Sequence, residues 1–305
     1  MPDDFFIIRI VLKVFSTREK SIRCRPNPCC WPKRESFMKQ QPRNRYRLLM
    51  MLRLLLKLGP IKALRSLRGI WYYCNDFDIL KGQELSSARV FAFGKQYPCL
   101  EERFAESGSA SGHYFHQDLL VARRICANNP VTHVDVGSRI DGFVAHVASF
   151  RSIEVFDIRP LFNIIPNIKF RQTDLMAPVD ETLENYCDSL SCLHALEHFG
   201  LGRYGDPVNY DGYILGLNNL SKILKKGGKL YLSIPIGPQR IEFNAHRVFS
   251  VSFLLECLSG KYALDQFSFV DDQGELHENV TITDKDLKKN FDCRYGCGIF
   301  EMTKI

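Results

Sequence analysis

From Ser86 onward the chain alternates short apolar runs with stretches of helical spacing, and that alternation restricts its fold more than any other feature. Residues 132–136, 153–157, 168–172, 188–194 and 229–234 read as strands. Residues 116–128, 142–150, 212–224 and 250–258 carry helical periodicity. Repeated strand–helix units build a mostly parallel α/β sheet with helices on both faces. Residues 267–270 and 298–302 are late strands with no long helix between them, so they are expected to pair as a C-terminal antiparallel hairpin. Ligands of such sheets bind beyond the C-terminal strand ends, so the chemistry is sought there.

Composition matters mainly through its unevenness. The net charge of +7 hides 17 Lys and Arg against 4 Asp and Glu in residues 1–70, leaving 24 against 30 in the rest. The mildly acidic body gives no reason to expect nucleic acid. The chain divides into a disordered basic segment at 1–45, a basic amphipathic helical segment at 46–82 and a domain at 83–305. The first apolar run, 4–15, is too short and too charged to span a bilayer. The helix of 46–70, broken near Gly59-Pro60, either docks on the domain or lies on an anionic membrane surface. Residues 1–37 are unlike the rest, and Met38 and Met50 are alternative starts, so a start-site artefact is a further reading of that stretch. Eleven irregularly spaced Cys, among them Cys126, Cys192 and Cys257 in apolar runs, suggest buried, reduced thiols. The expected location is cytoplasmic, with peripheral membrane contact through 46–70 as the second reading.

The strand ends carry the first candidate residues. The first strand runs into Asp135-x-Gly137-Ser138, with Gly142 four residues after Ser138. Asp135 is expected at the crevice mouth, and Gly137 lets backbone approach a ligand. The loop lacks the repeated glycines that hold a pyrophosphate, which favours a cofactor without phosphates. The second strand ends at Asp157, twenty-two residues after Asp135, where a carboxylate can accept ribose hydroxyls. After the third strand, Asp174 can accept from an adenine amine, or equally cap a turn, while Leu175 packs on the ring.

The fourth strand runs into a loop holding His194, Glu197 and His198, followed by Arg203, Tyr204 and Asp206. The string H-x-x-E-H also occurs in zinc sites, but Gly200, Gly202 and Gly205 argue against the sustained helix such a site needs. Cys293 and Cys297 lack a second pair at metal spacing, so no metal is expected. The stretch after the fifth strand supplies Asn244, His246 and Arg247. His198 and His246 are candidate bases and Glu197 their positioning group. His194 is assigned to the cofactor. Arg203, Tyr204, Asp206, Asn244 and Arg247 are candidate acceptor contacts.

On Asp135-x-Gly137, Asp157, Thr173-Asp174-Leu175, the Leu193–His198 segment and LKKGGKLYLSIP, the sequence resembles the class I S-adenosylmethionine-dependent methyltransferases. On GHYFHQDL, HALEHFGLGRYGDP and FNAHRVF it resembles family 268 of the domains of unknown function, from about Gln83 to Ile305. The resemblance implies a Rossmann-like methyltransferase sheet and S-adenosyl-L-methionine as cofactor. It implies methyl transfer but hardly the acceptor; His198, His246 and Arg247 are what suggest an oxygen or nitrogen of a polar small molecule or glycan. A non-catalytic binding protein of the same fold is the alternative, and a nicotinamide-dependent oxidoreductase the third.

Overall fold

The computed structural model describes residues 60–84, 86–89 and 91–305, with the side chains of the first helix described from Arg68 onward. Contacts divide the chain into two units, Met1–Ala105 and Glu106–Ile305.

In the first unit, helix α1 spans Pro60–Glu84. Proline suits a first turn because its missing N–H would have had no helical partner there. The basic helix expected over 46–70 lies mostly outside the described residues. A Cβ on Gly69 would stand 2.0 Å from the Leu100 carbonyl oxygen, so the absent side chain lets this backbone cross the helix. Tyr72 meets Phe104 edge-on and carries the Arg103 guanidinium 4.5 Å over its ring, while Arg103 also pairs with Asp76. Among the described residues no helix is long and apolar enough to cross a membrane.

The second unit begins its regular structure with α2 (His113–Asn128) and β1 (His133–Val136). A kinked turn at Ile140–Val144 then leads into the short α3 (Ala145–Ala148). Next come β2 (Ile153–Asp157), β3 (Ile168–Gln172) and β4 (Cys187–Leu193). They are followed by α4 (Gly212–Ile223) and β5 (Leu224–Ile236). The sheet order is β3-β2-β1-β4-β5-β10-β8-β9, where β8 is Tyr262–Val270, β9 Leu276–His277 and β10 Gly296–Lys304. The first five strands of that order are parallel. The remaining pairings are antiparallel.

Burial follows the two faces of the sheet. Leu120, Val121 and Ile125 of α2 pack with Phe143, Val147 and Val155 in one core cluster. Leu217, Leu220 and Ile223 of α4 pack in the other, with Val251, Leu254 and Leu258 of α5 (Val251–Leu258). Ser250 caps α5, its hydroxyl accepting from the Phe253 amide. The central parallel strands β1, β4 and β5 are buried on both faces and read as apolar runs, whereas the edge strand β3 alternates half-buried and exposed residues.

Three sequence expectations change in detail. β8 and β10 do pair antiparallel, but β10 inserts between β5 and β8, and the connection carries β9 and α6 (Asp284–Lys289). Gly227 and Gly228 lie within β5, not before it. The register jumps from Cys187↔Leu224 to Ser189↔Lys229, so residues 225–228 bulge from the ladder, with Gly227 at φ +77°. The stretch expected as an irregular loop forms a ribbon of β6 (Arg240–Glu242) and β7 (His246–Val248). Among the cysteines, Cys192 is buried as expected, Cys257 is half-buried, and Cys126 is exposed, because it falls on the outer side of α2.

Candidate functional site

The C-terminal ends of β1, β2 and β4, with the turn after β3, border a cleft enclosing about 520 Å³, part of it open to solvent. Val136 and Gly137 form one side. Gly137 has φ +75°, and a Cβ there would meet the Ala195 Cβ at 2.7 Å, so the turn admits no side chain. Asp135 does not reach the crevice mouth. It is fully buried and accepts from the Ser191 hydroxyl (2.5 Å), the Ser138 hydroxyl (2.8 Å) and the Ser138 amide (3.1 Å). Burial pushes its carboxyl up to about 7, against the pull of the Ser191 and Ser138 hydrogen bonds. The cause is its place on a central strand, flanked by β2 and β4. Ser138 is engaged with it, and neither Ser138 nor Gly142 lines the cleft. Gly142 sits in the kink before α3, where a Cβ would be 3.0 Å from Asp118 Oδ2.

Asp157, at the tip of β2, does line the cleft. Both of its oxygens are engaged by Arg159. The Arg159 amide and Nε donate to Oδ1 at 2.8 and 3.0 Å, and Nη2 donates to Oδ2 at 2.6 Å. The same guanidinium lies 4.5 Å over the Tyr204 ring. After β3, the Asp174 Oδ1 accepts from the Met176 amide at 2.8 Å, so this residue caps its own turn, while Oδ2 meets no such donor among the described residues. Leu175 is buried and lines the cleft beside Phe156.

The chain leaves β4 through His194, which takes a left-handed φ of +49°. Its Nδ1 lies 2.7 Å from Glu197 Oε1, and both side chains are buried. Burial opposes charge on either group, yet Cys297 and Glu197 raise His194, and His194 in turn holds Glu197 down. A single 3₁₀ turn, Leu196–His198, follows, so no long helix carries the H-x-x-E-H string. His198 lines the cleft and donates from Nδ1 to the Ala245 carbonyl at 2.7 Å. That fixes the tautomer and leaves Nε2 with the lone pair, 3.7 Å from Glu197 Oε1. Burial keeps His198 below the usual histidine range, though Glu197 opposes this.

Much of the acceptor-side set is occupied in holding the loops. Asp206 accepts from the amides of Gly200 (2.8 Å), Gly202 (3.1 Å) and Tyr204 (3.1 Å), although it also borders the cleft. Arg203 donates to the Ala245 carbonyl at 2.9 Å and stacks on Tyr204. Arg247 is corrected from an anion contact to a buried clamp, 4% exposed. It donates to the carbonyls of Phe199 (2.6 Å), Tyr210 (3.0 Å), Glu197 (3.3 Å) and Asn209 (3.4 Å). Asn244 is exposed in the β6–β7 turn at φ +63°, a conformation asparagine tolerates. His246 is not part of the cleft lining. It stacks on Tyr295, with Nε2 3.1 Å from Glu242.

So Gly137, Asp157, Asp174, Leu175, His194, His198, Tyr204 and Asp206 come together around the cleft. Asp135, Ser138, Gly142, Asn244, His246 and Arg247 do not line it. Arg159, Phe156, Met176 and Phe199 line it as well and were missed. Arg159 had a visible signal, a base two residues after the strand-end acid. The aromatic and Met residues read only as core.

A parallel run β3-β2-β1-β4-β5 completed by β10 antiparallel between β5 and β8 is the class I methyltransferase fold, with its cleft at the strand tips. Residues 168–295 match the family described as Caenorhabditis protein of unknown function, DUF268. The match takes in the loop strings around His198 and Arg247 but not the string at the start of α2. Comparison with curated proteins gives no match. Similar solved structures include the N-methyltransferase NodS from Bradyrhizobium japonicum WM9 in complex with S-adenosyl-L-homocysteine. It is 11% identical over 63% of this chain and 88% of that one, with a TM-score of 0.41. The 1,6-didemethyltoxoflavin-N1-methyltransferase of Burkholderia thailandensis, with bound 1,6-didemethyltoxoflavin and S-adenosylhomocysteine, is 13% identical over 62% and 78%, with a TM-score of 0.43. An S-adenosylmethionine-dependent methyltransferase from Clostridium acetobutylicum ATCC 824 is 11% identical over 62% and 91%, with a TM-score of 0.41.

Proposed function

We propose that the chain is an S-adenosylmethionine-dependent methyltransferase acting on an oxygen or nitrogen of a polar small molecule or glycan. The observation that carries this reading is Asp157 at the tip of β2, lining the cleft beside Gly137. A carboxylate there suits ribose hydroxyls. Phe156 and Leu175 supply apolar surface for an adenine ring, and Asp174 Oδ2 an acceptor for its amine. The β1 turn offers no nest of glycines for a pyrophosphate, which fits a cofactor without phosphates and weakens the nicotinamide alternative. Bound S-adenosylmethionine would supply an electrophilic methyl group.

This chain's residues then have to orient an acceptor and take its proton. His198 is placed for the proton. Its Nδ1–H is held by the Ala245 carbonyl, and burial keeps the ring neutral near pH 7, so Nε2 can act as base. Glu197, 3.7 Å from that nitrogen, stabilises the imidazolium that results. Tyr204, between Arg159 and Arg203, presents a polar edge to an acceptor.

One observation favours the non-catalytic alternative: Arg159 engages the carboxylate that ribose needs. Calorimetry with S-adenosylhomocysteine separates the readings. Asp157→Ala should weaken binding at least tenfold, since a hydrogen bond to a charged group contributes about 1.5–3 kcal/mol. Equal affinity in the two proteins would remove the basis of this cofactor assignment.

A further inference from the structure

His113 at the start of α2, His194 after β4 and Cys297 on β10 converge from three separate elements. One donor atom from each lies within 4.8 Å of the other two. The rings are already oriented. His194 gives Nδ1 to Glu197 at 2.7 Å, which leaves Nε2, and that nitrogen is buried without a hydrogen-bond partner. His113 directs a ring nitrogen to the Tyr295 carbonyl, and its ring lies parallel to that of His194 at 5.2 Å and 4°. The Cys297 sulfur, fully buried, faces His194 and makes a long contact of 3.8 Å to Gln117 Oε1.

We propose that His113, His194 and Cys297 bind a zinc ion in the wall of the cleft, with Glu197 orienting His194 from behind. Two imidazoles and a thiolate are donors that borderline-soft Zn²⁺ prefers. Bond lengths of about 2.0–2.3 Å in a tetrahedron put donor atoms roughly 3.4–3.7 Å apart. From separations of at most 4.8 Å the three donors would close by up to about 1.4 Å around the ion. Carboxylate–histidine pairing of the His194–Glu197 kind is the usual way a zinc-bound imidazole is fixed. Binding would replace the Cys297 thiol proton by a Zn–S bond and release that proton to solvent. Three protein donors leave a fourth position for water or an oxygen of a bound molecule.

The sequence offers no reason to expect a metal, and the site is neither of the two strings weighed and set aside there. It takes His194 from the H-x-x-E-H string without His198, and Cys297 from the Cys293–Cys297 pair without Cys293. It shares His194 with the cleft lining, but it uses neither Asp157 nor Asp174, on which the methyl-donor reading rests.

The test is a Co²⁺ titration of the full chain under reducing, chelator-free conditions, followed by Zn²⁺ competition. The expected result is a thiolate-to-cobalt band in the near ultraviolet with intense tetrahedral bands in the visible. They should saturate near one equivalent and be erased by Zn²⁺. Cys297→Ser should remove the near-ultraviolet band and Cys293→Ser should keep it. Glu197→Gln should weaken zinc roughly 10–100-fold. Should Cys297→Ser fail to fold by circular dichroism, His113→Gln carries the test, because His113 is half-buried and belongs to neither core cluster. It should lower zinc affinity at least tenfold. No charge-transfer band in the unaltered protein, a band that survives Cys297→Ser, or unchanged affinity in His113→Gln overturns the proposal.

Discussion

The two halves of the cleft are built differently. Its strand-tip half, at the ends of β1, β2 and β3, offers Asp174 Oδ2, the bare backbone at Gly137 and Asp157, whose carboxylate is held, among the described residues, by one neighbour alone, Arg159, two residues on. Its loop half, after β4 and β5, carries more charge but commits most of it to itself. Asp206 gathers three amides, Arg203 holds Ala245, and Arg247 ties four carbonyls. A strand tip is positioned by the sheet and needs no further support. A long excursion carries backbone groups that must be satisfied, and nearby polar side chains are drawn into satisfying them. His198 is the exception, since a single carbonyl holds one nitrogen and leaves the other.

The largest expected effect tests that exception. His198→Ala should leave S-adenosylhomocysteine binding intact and lower turnover roughly 10²–10⁴-fold on an acceptor substrate. Loss of cofactor binding in this variant would move His198 to the other half of the cleft. Next comes the clamp. Arg247→Ala removes several charge-assisted bonds at a buried position and should cost about 3–5 kcal/mol in urea denaturation. A loss within about 0.5 kcal/mol would mean that the residue is a surface contact after all.

A buried group of the strand-tip half gives a pH signature. The unfolded chain holds an Asp carboxyl near 3.9, whereas burial raises Asp135 to about 7. Between those values the native state binds the additional proton, so stability from this group falls as pH rises from about 4 to about 7 and then levels off. Asp135→Asn should flatten that limb, a difference of ~2–4 kcal/mol across the window. Urea melts at a series of pH values measure it, and an unchanged profile contradicts the assignment. The smallest effect concerns Arg159. Arg159 is 44% exposed although its partner Asp157 is only 10% exposed, and a pair with one solvated side contributes roughly 0.2–1 kcal/mol. Arg159→Ala should therefore tighten S-adenosylhomocysteine binding, by at most about fivefold. Weaker binding would show that the guanidinium contacts the ligand.

What the sequence revealed follows the same division. The β2 and β3 boundaries were legible residue for residue, because β2 is a mostly buried apolar run and the edge strand β3 alternates apolar with polar residues, each bounded by polar turns. Asp157 was legible because its place at a strand end follows from that periodicity. Arg247 was not, because residue type suggests an anion and only burial shows that its donors face backbone carbonyls. The β6–β7 ribbon was hidden in three-residue strands too short for an alternating pattern, with Asn244 at the turn as the one local sign. Asp135 misled for a related reason: a strand's last polar residue can point along the tip or into the sheet, and two serines, one on the neighbouring strand, decided it.

The central claim, that the strand-tip half is built for an adenosyl cofactor without phosphates, is tested most directly by thermal denaturation of the full chain with S-adenosylhomocysteine or with NAD. At 100 times its dissociation constant a bound ligand stabilises by about 2.7 kcal/mol. The account predicts a saturable rise in Tm with S-adenosylhomocysteine, none with NAD, and loss of the rise in Asp157→Ala. A rise with NAD alone, or one with S-adenosylhomocysteine that persists in Asp157→Ala, would contradict it.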